Sequence, residues 1–340
     1  MLIAALITYI NVRGIKIAAI FQTVMTLIIF IVGIFVIVSG VMMGDVDNMS
    51  TQLFAGSDSV SMLRGILAVS MITPFFYIGF DVIPQAAEEI NVPLKKIGKI
   101  MISSIIIAVL FYALIIIAIG LLLEPGQVVN STQGTRLTCV DAILAAYNIP
   151  ALTNVVIIGG LCGLVTSWNS FVIGSSRALY AMAESYMIPH IFSNIHTKYH
   201  TPVYAVLLIG AVSMIAPLFG REMLTWMVDV ANMGCCIAYF IVGLSFLLLR
   251  KNEPGMDRPY KVRKGILVGT LAICMSGFMV CMYIIPGTGS TLGWQEWIIA
   301  IAWCLLGLMF RTYSRYRYGD KFGHSESYYE ENSDDADAQI

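Results

Sequence analysis

The chain is 340 residues long, 58% hydrophobic and only 12% charged, with a net charge of −1. With a mean hydropathy of +0.81 it excludes a soluble fold, and the composition gives no footing for a nucleic-acid partner. The net charge is silent by itself, because the information lies in how the basic residues are distributed.

Residues 1–10 are apolar but too short to span a bilayer, which takes roughly 20 helical residues. They lack the basic n-region and small-residue cleavage site of a secretory signal, and read instead as the tail of a span. Runs long enough to cross follow at about 15–43, 66–87, 99–123, 153–183, 203–219, 223–250, 265–286 and 294–310. These predict one permease domain over 1–312 and a polar, acidic, disordered tail over 313–340. Six of the seven cysteines lie within apolar runs, where cysteine behaves as a small hydrophobe; Cys139 sits in a long polar loop, and the set gives no disulfide pattern.

The span 66–87 carries Pro74, Gly79 and Pro84 with Asp81 between the latter two. Proline removes an amide donor and glycine permits conformations other residues resist, so a helix broken inside the bilayer is predicted here. Irregular backbone at that depth survives only where it is buried in protein or lines a water-filled cavity, and an intramembrane acid obeys the same condition. Asp81 lies 17 residues after Arg64 and 14 before Lys95, near the midplane. A carboxyl group that changes protonation there would couple solute movement to a proton; the plainer reading is an acid hydrogen-bonded to a neighbouring helix for packing. Phe75, Phe76, Tyr77 and Phe80 crowd the break. Aromatics in spans usually face lipid or core, but a ring beside a break can also close it, and Phe75 is placed to do so.

In the span 153–183, Thr166, Ser167, Asn169, Ser170, Ser175 and Ser176 concentrate hydroxyl and amide groups on one helix. Interhelical hydrogen bonding explains this without function. The functional reading is a polar face with hydroxyls available to a sodium ion or a substrate carboxylate. Asp229 and Asn232, a turn apart near the outer end of 223–250, fit either an outer vestibule or a plain interfacial position, and solvation is enough to explain Glu88 and Glu89.

Placing alternate connections on alternate sides leaves Arg64, Arg136 and Arg221 on one face and the other 17 of the 20 basic residues opposite. The positive-inside rule makes that richer side, and the C-terminus, cytoplasmic. Asn48-Met49-Ser50 and Asn130-Ser131-Thr132 match the glycosylation pattern in outward segments. The four histidines lie in cytoplasmic connections or the tail; with no metal-ligand spacing, phosphate loop or nucleophile elbow, enzyme chemistry has little support.

Four blocks together resemble the amino acid-polyamine-organocation permeases. They are Asn11-Val12-Arg13-Gly14 with Gln22; Tyr77 to Asp81 running on to Glu88-Glu89-Ile90-Asn91-Val92-Pro93; Ser175-Ser176-Arg177 through Ile188-Pro189 to Thr201-Pro202; and Leu249-Arg250-Lys251 through Pro254 to Arg258-Pro259-Tyr260. The resemblance covers residues 1 to about 312. It implies an all-α polytopic membrane helix bundle of two inverted five-helix repeats, with solute held at the midplane between the discontinuous first and sixth helices. The span 66–87 would be the sixth, so the chain would start within the fourth and lack the first three. By the same resemblance Phe75 is the gating aromatic, Gly79 lies in the unwound segment and Asp81 is the acid of the sixth helix; Phe76 and Phe80, crowding the same break, join them as candidates for substrate binding or gating. Asn169 and Ser170 line the substrate path on the eighth. Where proton-coupled relatives carry a lysine on the fifth helix this chain has Ile29.

The expectation is an amino acid or amine transporter of the plasma membrane, working by alternating access without a cofactor, with solute and lipid as partners, no nucleic acid, and a protein partner left open. Coupling to sodium, coupling to protons through Asp81 and exchange without an ion all stay open, with Asp81, Thr166, Ser167, Ser175 and Ser176 as the groups concerned. A nutrient sensor built on the same fold, or a shortened permease without activity, are the rival readings.

Overall fold

Apolar runs fold as helix because a bilayer interior offers peptide groups no partner but one another. The computed structural model describes residues 1–50, 59–87, 92–134, 137–256, 258, 260–286, 288 and 291–324, and among these the regular structure is entirely helical. In order the helices are α1 (Leu2–Val12), α2 (Ile15–Met43), α3 (Asp47–Ser50), α4 (Ser59–Tyr77), α5 (Val82–Gln85), α6 (Leu94–Leu122) and α7 (Pro125–Gln133). Then come α8 (Thr138–Tyr147), α9 (Pro150–Glu184), α10 (Val203–Ile215), α11 (Gly220–Asn252), α12 (Gly265–Ile284) and α13 (Trp294–Tyr318). Of the described helices six, α2, α6, α9, α11, α12 and α13, are long and apolar enough to cross a membrane. The protein is a polytopic helical membrane protein. The run 203–219 forms a shorter α10 continued by a 3-10 turn at Ala216–Phe219, where Pro217 ends the regular ladder.

The chain divides into two units, and α4, α6 and α9 each pass from one to the other. Lys16–Leu67 with Gly98–Phe171 form the first. Here α2 lies so close to α6 that a Cβ on Gly40 would stand 2.5 Å from the Ala118 Cβ, and one on Gly33 would strike the Phe111 ring. On α9, Gly159 receives Val32 and Gly163 receives Ile29. Small residues at helix contacts are how membrane helices gain packing where no hydrophobic force separates lipid from protein. Val32, Val36, Ile143 and Val156 form the buried centre of this unit.

Residues 124–149, expected as a polar loop, fold instead into α7 and α8. Glu124 and Gln127 form a capping box around Pro125, and Asn148 closes α8 in a left-handed conformation, φ 51°. Ser131 donates to the Asp141 carboxylate across the pair. Of the two glycosylation patterns, the first is engaged, its Asn48 amide donating to Leu121 O (2.8 Å), while in the second Asn130 is exposed and only the middle residue, Ser131, is buried on Asp141.

Met1–Ile15, Ala68–Ile97 and Val172–Ile340 form the second unit. α1 packs on α10 where Gly210 accepts Thr8, and α11 pairs with α12 through Gly269 against Leu247. Two of the sequence blocks meet here. Thr201 Oγ donates to Val12 O (3.1 Å) at the end of α1, and the Arg13 guanidinium lies over the rings of Tyr9 and Tyr199. The block after α11 is tied by Arg258, whose guanidinium donates to Glu253 O (2.6 Å) and Leu249 O (3.2 Å) at the end of the helix. α13 runs past the expected domain boundary at 312 and ends against the α9–α10 connection, where the His190 amide donates to the Tyr318 hydroxyl (3.1 Å). The acidic segment 325–340 and Glu88 to Asn91 lie outside the described residues.

Candidate functional site

α4 stops at Tyr77, short of its expected end, and the ladder resumes only as tight bonds from Val82 N to Gly79 O (3.2 Å) and Ile83 N to Phe80 O (3.3 Å). Gly79 stands between them at φ +132°, a conformation that L side chains rarely adopt. The interruption therefore lies where Gly79 and the flanking prolines put it. Asp81 acts on the break itself: its Oδ1 accepts the Gly79 amide at 2.9 Å, replacing a helical bond that the turn gives up. Among the described residues its second oxygen takes part in no hydrogen bond.

Around this turn, in the same unit, Phe80 lies tilted against Tyr239 of α11 with ring centroids 5.8 Å apart. The Tyr239 hydroxyl is screened from solvent, has no hydrogen-bond partner among the described residues, and lies within electrostatic reach of Asp81 and Cys235. The short α5 rests on α9: a Cβ on Gly174 would meet Gln85 Oε1 at 2.3 Å and Val82 at 3.0 Å. Phe76 is 56% exposed. Phe75 is on the last turns of α4, and its side chain lies outside the described residues.

Further along α9, Ser176 is fully buried, donating to Ile173 O (3.0 Å) and accepting from Arg177 Nη1 (2.9 Å). Ser175 beside it is half-buried. A hydroxyl oxygen already facing a guanidinium is a poor ligand for a second cation.

The other polar residues of α9 belong to the first unit and form a ladder with α2. Asn169, fully buried, donates to Gln22 Oε1 (2.8 Å) and Ala18 O (3.3 Å); Gln22 in turn donates to Ser170 Oγ (2.8 Å). Thr26 and Thr166 face each other at 3.5 Å, while Ser167 is exposed. Thus Asn169 and Ser170 are brought together, and their partner is Gln22, a residue whose isolated amide in an apolar helix was the signal for it. Tyr239 carried no such signal, being one of 16 tyrosines.

The model of the amino acid permease family matches residues 1–310. The chain belongs to that family. It is 25% identical over 252 residues to the branched-chain amino acid permease BcaP of Bacillus subtilis, covering 74% of this chain and 51% of that one. It is 25% identical over 318 residues to the methylthioribose transporter of the same bacterium, covering 92% and 63%. To the chloroplastic cationic amino acid transporter 7 of Arabidopsis thaliana it is 25% identical over 265 residues, covering 77% and 42%. The chain thus spans about half the length of the curated relatives it matches.

Proposed function

We propose that this permease moves an amino acid or a related amine across the plasma membrane by alternating access, with its C-terminus in the cytoplasm. The observation that carries the reading is the helix interruption at residues 78–81, where unwound backbone and a carboxylate sit together in a family of amino acid permeases. The free oxygen of Asp81 suits an ammonium group or a proton, and Phe80 beside it supplies an apolar wall. Phe75 is the closing ring and Gly79 the point that lets the helix break. Within the first unit, Asn169 and Ser170 are proposed by themselves as substrate-lining groups of α9, their geometry fixed by Gln22.

We infer further that Asp81 couples transport to a proton rather than to sodium. The hydroxyls of Thr166 and Ser176 are engaged by Thr26 and Arg177, which makes them poor sodium ligands and supports this reading. The 17-to-3 distribution of basic residues supports the orientation. Uptake of a labelled amino acid panel, branched-chain, cationic and neutral, by the complete protein in liposomes tests the reading. Accumulation of at least one member against its gradient is expected; no flux of any member above protein-free vesicles would overturn it.

A further inference from the structure

α13 turns one side to protein and another away from it. Ala300 and Ser314 are buried, and Trp297 packs on the apolar cluster of Met233, Cys236 and Tyr283, so that side meets α11 and α12. On the other, Trp294, Ile298, Ile301, Leu305 and Leu308 recur at offsets of four and three and are each more than half exposed. Such a stripe on a span faces hydrocarbon. Arg311 follows Trp294 by 17 residues, about 25 Å of helix against a hydrocarbon core roughly 30 Å thick, and so stands where acyl chains give way to headgroups.

There the stripe changes its chemistry without changing its face. Leu308, Arg311, Thr312, Arg315 and Tyr316 line a shallow groove of about 390 Å³. Both arginines are exposed, and among the described residues neither guanidinium makes a hydrogen bond or an ion pair. Thr312 donates its proton to Leu308 O (2.8 Å), so the arginines are the groove's cationic donors. They stand one turn apart, and each offers a planar fork of N–H groups that matches two oxygens of a phosphate. Tyr316 is 92% exposed, an apolar ring with a polar tip at the depth of an interfacial aromatic belt. With two positive charges and no acid among the lining residues, the groove fits a headgroup of net negative charge better than a zwitterionic one, whose own cation would face the guanidiniums.

We propose that this face of α13 is a binding site for one anionic phospholipid, its phosphate held between Arg311 and Arg315 and an acyl chain lying along Leu308, Leu305 and Ile301. The acidic segment 325–340, with six acids and no Lys or Arg, has the charge to compete but no aliphatic run to cover the stripe. A lipid satisfies both halves of the groove at once. The site requires that α13 spans the bilayer and is independent of which solute is moved; by the orientation proposed above it lies in the cytoplasmic leaflet, whose surface is the anionic one.

Native mass spectrometry of the complete protein in neutral detergent, titrated with phosphatidylglycerol or with phosphatidylcholine, tests this without any transport measurement. Phosphatidylglycerol should bind the more tightly. Its affinity should fall roughly fivefold in Arg311→Gln or Arg315→Gln and roughly thirtyfold in the double variant, on the order of the attraction of one interfacial arginine, then two, to anionic lipid. Both side chains are exposed, so the fold should persist; Lys261→Gln with Arg263→Gln, which removes the same charge from the exposed connection after α11, should leave the affinity at the wild-type value. Glycerol phosphate, which carries the phosphate without the chains, should fail to displace the lipid. An affinity unchanged in the double arginine variant, an equal loss in the connection variant, or displacement by glycerol phosphate overturns the proposal. Glu330→Gln, Glu331→Gln, Asp334→Asn and Asp335→Asn together should change nothing, and a lipid affinity that rises roughly fivefold in that variant would seat the acidic segment in the groove and overturn it as well.

Discussion

Gly79 is at φ +132° with no atom within 4 Å of the place a Cβ would occupy, so the obstacle to any other residue there is backbone conformation and not space. Gly79→Ala should therefore cost about 1–3 kcal/mol locally, the usual price of forcing a side chain into such a region, and convert part of the break to helix. The expected outcome is normal membrane insertion with weakened amino acid binding, measured on purified protein; wild-type affinity would show that the turn is incidental to the solute. Phe75→Ala should likewise raise the dissociation constant or speed the release of bound solute, and an unchanged affinity and rate would return that ring to packing. Asp81 differs from both, because its carboxylate holds the turn through the Gly79 amide as well as offering charge. One oxygen of Asp81 therefore has a structural task, and the proposed functional one falls to the other.

Among the helices, α2 is the element on which the first unit depends. Gly33 and Gly40 let it approach α6, and Gln22 and Thr26 hold it to α9. Gly40→Leu places four carbons where the Ala118 Cβ already stands 2.5 Å from a Cβ, and overpacking of this kind costs about 1–3 kcal/mol or more. A lower thermal unfolding midpoint in detergent is expected, and an unchanged midpoint would contradict the close α2–α6 contact. Helix positions were largely legible in the sequence: α2 begins and ends at 15 and 43, as its apolar run does, and α6, α9, α11 and α12 end within a few residues of theirs. α7 and α8 were not, because a polar amphipathic turn capped by Glu124, Pro125 and Gln127 carries no hydropathy signal. The ladder from Asn169 and Ser170 was half legible. Periodicity put the residues on one face, but only the packing of α2 named Gln22 as the partner. Tyr239 was invisible, since nothing local distinguishes a tyrosine whose hydroxyl is buried beside an acid from one at an interface.

At the scale of the whole molecule, membership of the amino acid permease family, six long apolar helices and one interrupted one describe a polytopic helical membrane protein. Three of the four sequence blocks that carried the resemblance meet at joints of the scaffold within one unit: Thr201 and Arg13 join the end of α1 to the start of α10, and Arg258 closes the turn after α11. The remaining block holds the helix interruption, with Gly79 at φ +132° and its amide on Asp81. The central claim is that Asp81 at this break grips or protonates with the transported solute. It is tested most directly by Asp81→Asn in the complete protein, reconstituted with a labelled amino acid and an imposed proton gradient. The carboxamide still accepts the Gly79 amide, so the fold should persist and accumulation against the gradient should be lost; accumulation equal to wild type at every pH tried would contradict the account.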